Sequence, residues 1–189
     1  MEAKLIIFSA PSGAGKTSII KYLLDKISST EFSISATSRK PRQNEKNGID
    51  YHFMSVDSFK KKIKNKDFIE FEEVYTNVFY GTLNSELDRI RQNGKTVLLD
   101  MDVKGGLKIK SIFKEKALSV FIKPPSLKVL DKRLTKRALD TQKSIQERLK
   151  KSEFELSYAE EFDIVLVNND LDKTKNTAFQ IVSEFIEVK

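Results

Sequence analysis

The sequence contains no cysteine and a single histidine, His52, among its 189 residues. The first absence excludes disulfides and thiolate metal sites. The second excludes a histidine-based metal cluster. Any metal must be held by oxygen, which points to Mg²⁺. No apolar run approaches the ~20 residues that span a bilayer. Met1-Glu2-Ala3-Lys4 leads straight into an apolar stretch, without a secretory segment. A cytoplasmic protein with no membrane partner is expected. Acid is the scarcer charge: 27 Asp and Glu stand against 34 Lys and Arg, a net charge of +7. Polyanions are therefore the expected partners. Nucleotides satisfy the excess, and a nucleic-acid role would rest on the charge alone. The run Lys60-Lys61-Lys62-Ile63-Lys64 has the pattern of a solvated helix face. With 39% hydrophobic and 32% charged residues, the chain suits one globular domain with small inserted units.

What is present centres on Ser9-Ala10-Pro11-Ser12-Gly13-Ala14-Gly15-Lys16-Thr17. The apolar run Leu5-Ile6-Ile7-Phe8, with two β-branched residues at its centre, precedes it, and a helical pattern with Ile19, Ile20, Leu23, Leu24 and Ile27 follows. A strand, a Gly-rich turn and a helix N-terminus make a phosphate-binding loop. Gly13 and Gly15 allow successive N–H groups to converge on phosphate oxygens. Lys16 brings a charge to the β/γ-phosphates and Thr17 a hydroxyl to Mg²⁺. Ala10 stands where the strict pattern has glycine, a small residue for a small residue.

Along the chain, Phe32-Ser33-Ile34-Ser35 alternates like a short strand, and the polar stretch Thr37 to Gly48 is a loop. Tyr51-His52-Phe53-Met54 predicts a strand and Val56 to Lys64 a helix. Phe68 to Tyr75 alternates, with Glu70 and Glu72 on the face opposite Phe71 and Tyr75. Asn77 to Gly81 is expected to turn the chain before a helix that opens at Asn84 and stops at Gly94. Thr96 to Asp102, Leu118 to Ile122 and Ile164 to Asn168 are buried-strand patterns. Helices are expected over Val103–Phe113, after Ser126 as N-cap, and from Leu171 to Val188. Apolar strands alternating with helices predict an α/β fold, a parallel sheet with helices on both faces. The segment 33–93 breaks the rhythm as a mixed α/β insertion.

Several constellations carry chemistry. Asp100, ending an apolar strand, is placed as a metal-holding acid beside the phosphate loop, though acids also end strands as helix caps. Arg39 and Arg42, with Tyr51 and Tyr80, match a second phosphate; each arginine alone would also suit a loop surface. Glu70 could accept from the N1–H and amino group of a guanine, which adenine cannot offer. By itself it reads more simply as a solvated strand residue. Arg133 and Arg137, four apart, and Arg148 flank an interruption near Leu139-Asp140-Thr141. They fit either a lid that delivers arginines to a transferring phosphoryl group or a basic exposed helix.

These strings resemble the guanylate kinase family. Those that match are the phosphate loop, Ser38-Arg39-Lys40-Pro41-Arg42 with Gly48-Ile49-Asp50-Tyr51-His52-Phe53, and Phe79-Tyr80-Gly81-Thr82. Leu99 to Gly105, Pro124-Pro125-Ser126 and Val167-Asn168-Asn169-Asp170 match as well. They run in the family's order from about Lys4 to Asp172. The resemblance implies a P-loop NTPase-type core (1–32, 94–125, 163–189), a GMP-binding insertion (33–93) and a helical lid (126–162). The implied reaction is ATP + GMP ⇌ ADP + GDP with Mg²⁺, with dGMP as a second acceptor. It implies that Ala10 to Thr17 and Asn168 bind ATP, and that Ser35, Glu70 and Thr82 read guanine. Arg39, Arg42, Tyr51 and Tyr80 would hold the GMP phosphate with Asp102 nearby. Lys16, Arg39, Arg133, Arg137 and Arg148 would be catalytic, and Thr17 and Asp100 would hold Mg²⁺, directly or through water. The chain departs from the family at Lys104, Ala138 and Asn169. An interaction module on the same fold and a kinase for another nucleoside monophosphate are the competing classes. The intact Gly15-Lys16-Thr17 and the arginine set weigh against the first, Glu70 and Tyr80-Gly81-Thr82 against the second.

Overall fold

The structure, a computed structural model of the chain, describes residues 4–136 and 142–187. The apolar run forms β1 (Leu5–Ser9), in which every residue is buried. It feeds α1 (Lys16–Lys26), which turns Ile19, Ile20 and Leu23 inward, and then β2 (Thr30–Phe32). A second group of elements follows: β3 (Ala36–Thr37), β4 (His52–Phe53), α2 (Val56–Lys64), β5 (Phe68–Tyr75), β6 (Val78–Leu83) and α3 (Asn84–Gln92). The remaining elements are β7 (Thr96–Met101), α4 (Val103–Phe113), β8 (Ala117–Lys123), α5 (Leu127–Lys136), α6 (Gln142–Ser157), β9 (Ile164–Val167) and α7 (Leu171–Glu187).

Five strands in the order β2-β7-β1-β8-β9 make a parallel sheet. Side chains alternate across a strand, so β1 feeds two separate cores. Ile6 and Phe8 join Leu23 of α1 and Val182 of α7 on one face. Leu5 and Ile7 join Leu87 and Ile90 of α3 and Ile109 of α4 on the other. A strand covered on both faces must be apolar at every position, which is why Leu5 to Phe8 reads as an unbroken run. The expected α/β architecture is the one observed.

The second sheet has the order β4-β3-β6-β5 and is mixed, β3 running parallel to β4 while β6 is antiparallel to both β3 and β5. Its small core is aromatic: Phe59 of α2 stacks on Phe68 at 4.3 Å and on Phe79 at 5.4 Å between ring centroids. The basic face of α2 points outward, as its pattern predicts, and Phe59 is buried on the other side.

Some local expectations are corrected. The strand placed at Phe32 to Ser35 stops at Phe32, because the Ile34 N–H donates to the Glu86 carboxylate (2.9 Å) instead of continuing the ladder. The strand at Tyr51 to Met54 is confined to His52–Phe53. The turn placed over Asn77 to Gly81 occupies only Thr76 and Asn77, where Asn77 adopts φ 62°, and Val78 to Leu83 is strand. Asparagine tolerates that left-handed conformation, so a tight hairpin closes earlier than Gly81 suggests. β9 lies at the sheet edge and exposes Val165 and Val167, so it is half-buried rather than buried. Ser126 caps α5 as expected, accepting from the Val129 N–H at 3.2 Å.

Candidate active site

The phosphate loop leaves the C-terminal end of β1 and enters α1. Gly13 and Gly15 take φ 91° and 103°, the left-handed values the loop needs. A Cβ at Gly15 would collide with the Asn168 amide, which donates to the Ala14 carbonyl at 2.7 Å. Asn168, 2% exposed, is thus a clasp under the loop. The first turn of α1 carries no acid, which leaves its positive end open to an anion. Lys16 forms an ion pair with Asp100 and donates to the Met101 carbonyl at 3.1 Å, both at the end of β7.

A cavity of about 450 Å³ separates this loop from the second sheet. On the loop side it is lined from Ala10 to Thr17, with Asp100 and Asp102; Ala14 lies buried beneath. Asp102 also caps α4, accepting from the Gly105 N–H at 3.0 Å. On the facing side stand Ser35, Tyr51, Glu70 and Tyr80. Three residues expected on the facing side sit behind this lining. Thr82 donates to the Glu70 carboxylate at 2.8 Å from the next strand. Arg39 donates to the Tyr80 hydroxyl at 3.0 Å and lies over the Tyr51 ring at 4.9 Å. Arg42 lies on the exposed loop beyond it.

Glu70 is the surprise. It is 5% exposed, whereas Phe71 and Tyr75 on the opposite face are 40% and 71% exposed. The solvated-strand reading is wrong, since α4 closes over this face and brings Gly105 so near that a Cβ there would lie 3.2 Å from a Glu70 carboxylate oxygen. Burial pushes the Glu70 carboxyl up to about 7, opposed by the Thr82 hydrogen bond and reinforced by Asp102. Burial and Asp102 likewise raise Glu72.

From the helices beyond β8, Arg133 donates to the Asn168 carbonyl at 3.0 Å and Arg148 to the Ser12 hydroxyl at 3.1 Å. Arg148 therefore reaches the phosphate loop itself, and Arg133 the residue that clasps it from beneath. Arg137 and Ala138 lie outside the described residues. Sequence reasoning missed Glu45, which grips Arg39, and Lys151 and Glu155 of α6, which line the cavity. In an exposed-looking loop and a charged helix, nothing marked them.

Comparison with known proteins finds relatives over nearly the whole chain. The guanylate kinase family profile matches residues 2–187. The chain belongs to the guanylate kinase family. The guanylate kinase of Bacteroides fragilis is 49% identical over 187 residues, covering 99% of this chain and 92% of that one. That of Chlorobaculum tepidum is 45% identical, covering 98% and 94%. The crystal structure of guanylate kinase from Anaplasma phagocytophilum superposes with a TM-score of 0.79 at 29% identity, covering 99% of this chain and 88% of the other. As a guanylate kinase the chain is an enzyme, a nucleotide-binding transferase. Among the described residues no helix is long and apolar enough to cross a membrane.

Proposed function

We propose that this guanylate kinase transfers the γ-phosphoryl group of ATP to GMP, with dGMP as a second acceptor, in cytoplasmic purine nucleotide metabolism. The observation that carries this is the single cavity with a phosphate loop on one wall and Glu70, Tyr51 and Tyr80 on the other. Two nucleotides bound to the two walls would meet phosphate to phosphate.

The donor phosphates would lie in the loop Ala10 to Thr17, on the backbone N–H groups and Lys16, with Asn168 supporting the loop. Lys16 would exchange its Asp100 partner for the β/γ-phosphates. Arg133, Arg137 and Arg148 would add positive charge from the lid, 126–162. Residues 33–93 would form the acceptor-binding unit. Ser35, Glu70 and Thr82 would read guanine, the Glu70 carboxylate accepting from N1–H and the amino group. Arg39, Arg42, Tyr51 and Tyr80 would hold the acceptor phosphate, with Asp102 alongside. The enzyme supplies positioning and electrostatic stabilisation, with no covalent intermediate.

Mg²⁺ is the expected cofactor. Among the described residues no three acidic or histidine side chains group as a metal site. The Thr17 hydroxyl and Asp100 carboxylate nevertheless line one cavity wall, the hard oxygen donors of an ion that keeps most of its water. When bound, Mg²⁺ would neutralise charge on the β- and γ-phosphates.

The test is ADP release from Mg-ATP with GMP, dGMP, AMP, UMP or CMP as acceptor. Turnover confined to GMP and dGMP is expected. Turnover with AMP or a pyrimidine instead would overturn the reading of Glu70.

A further inference from the structure

From Lys40 to Asp50 the chain is exposed at every residue but one, Glu45. That carboxylate faces the Arg39 guanidinium edge-on. Arg39 Nη1 donates to Glu45 Oε2 at 2.6 Å and Nη2 to Oε1 at 2.8 Å, the bidentate fork of an arginine–carboxylate pair. The same Oε2 accepts the Arg42 backbone N–H at 2.7 Å, and the Glu45 N–H donates to the Arg42 carbonyl at 3.1 Å. One carboxylate thus holds the side chain of one arginine and the backbone of the other.

The remaining restraints on Arg39 come from different directions. Nε donates to the Tyr80 hydroxyl at 3.0 Å, Nη1 to the Lys40 carbonyl at 3.0 Å, and the guanidinium plane lies 4.9 Å from the Tyr51 ring and 5.5 Å from the Phe53 ring. Both tyrosines are among the described residues that line the cavity, and Glu45 is not. Arg39 itself sits behind these two tyrosines, and the carboxylate holds it there without entering the cavity lining. Its charge persists at any working pH, because Arg39 and the Arg42 N–H pull its carboxyl down to about 2.

We infer that Glu45 is a positioning residue for the acceptor phosphate: by clasping the Arg39 guanidinium and the Arg42 backbone together, it presets both arginines before the acceptor nucleotide arrives. The loop around Pro41 has no regular structure to do this. Long cationic side chains lose rotamer freedom on binding, so an arginine ordered beforehand binds its phosphate more tightly.

The inference rests on the acceptor assignment above, and the experiment separates the two. Steady-state kinetics would be measured on the intact enzyme, Glu45→Gln, Arg39→Lys and the double variant. Glu45→Gln keeps the shape but loses the charge and one acceptor oxygen. Its KM for GMP should rise about tenfold or more, as expected for a misplaced binding group, with KM for ATP and the melting temperature little changed. Because Glu45 acts through Arg39, adding Glu45→Gln to Arg39→Lys should raise KM for GMP by much less than it does alone. A lower KM for GMP in Glu45→Gln would mean that the carboxylate competes with the phosphate, and would overturn the inference. So would an unchanged KM, additive effects in the double variant, or equal losses for ATP and GMP with a lowered melting temperature. Failure of the parent enzyme to use GMP at all would instead refute the acceptor assignment.

Discussion

The two sheets solve opposite problems with similar means. The five-stranded sheet is buried on both faces at its centre, where β1 between its neighbours carries only apolar residues up to Phe8 before the loop begins. The four-stranded sheet buries a few aromatics on one side, while the side toward the cavity holds Glu70 and Thr82, 5% and 1% exposed. In the first, burial follows hydrophobicity. In the second, polar groups are buried because another part of the chain covers them, and each must find a partner. The first carries the phosphate loop at the end of β1, and the second lines the cavity that faces it.

That contrast can be broken at either side. Lys16→Met should lower turnover by about 100- to 1000-fold, as for loss of a charge aimed at the transition state. Equilibrium binding of GMP should be unaffected, and a matching loss of GMP affinity would show that the two walls are not separable.

Phe59→Ala removes the ring stacked between Phe68 and Phe79 and should cost about 3–4 kcal/mol, read by urea denaturation. If the second sheet has its own core, GMP affinity should fall while binding of a non-hydrolysable ATP analogue persists. Equal loss of both would make the two sheets one cooperative unit.

Glu70→Gln sharpens the comparison through pH. The Glu70 carboxyl titrates near 7 rather than its ordinary 4.5, so the folded state holds the proton more tightly than the unfolded one. Its stabilising contribution is full below the ordinary value and is lost as pH rises through the folded one. The glutamine variant should therefore gain on the parent between about pH 5 and about pH 8, by up to about 3 kcal/mol. It should also use GMP less well. A gain in stability with GMP use unchanged would detach the buried acid from base recognition.

The smallest effect is expected where the two sheets join. Arg89 of α3 pairs with Glu86 and with Glu31 of β2, and Glu86 also accepts the Ile34 N–H. Arg89→Ala should cost about 1 kcal/mol, because its side chain is 43% exposed and solvent screens the pair. A loss several times larger would show that this junction, rather than either core, sets stability.

Much of this was legible in local residue order. The phosphate loop, the buried β1, the helix over Val56–Lys64 with its basic face outward and the strand over Phe68–Tyr75 each follow from periodicity or from backbone requirements within a few residues. The errors cluster where a distant partner overrides the local pattern. Ile34 leaves the ladder for Glu86, 52 residues on.

By itself the sequence determined the α/β alternation, the P-loop and the residues available to a second phosphate site, because those depend on side-chain period and on conformations only glycine tolerates. Tertiary structure alone decided that Glu70 is buried beneath α4, that Lys16 rests on Asp100, and that Glu45 holds Arg39 and Arg42 together. Glu70 and α4, like Lys16 and Asp100, come from segments far apart in the chain, so no window of neighbouring residues contains both members. Glu45 lies only six residues from Arg39 and three from Arg42, but a loop without side-chain periodicity does not show which way either side chain turns.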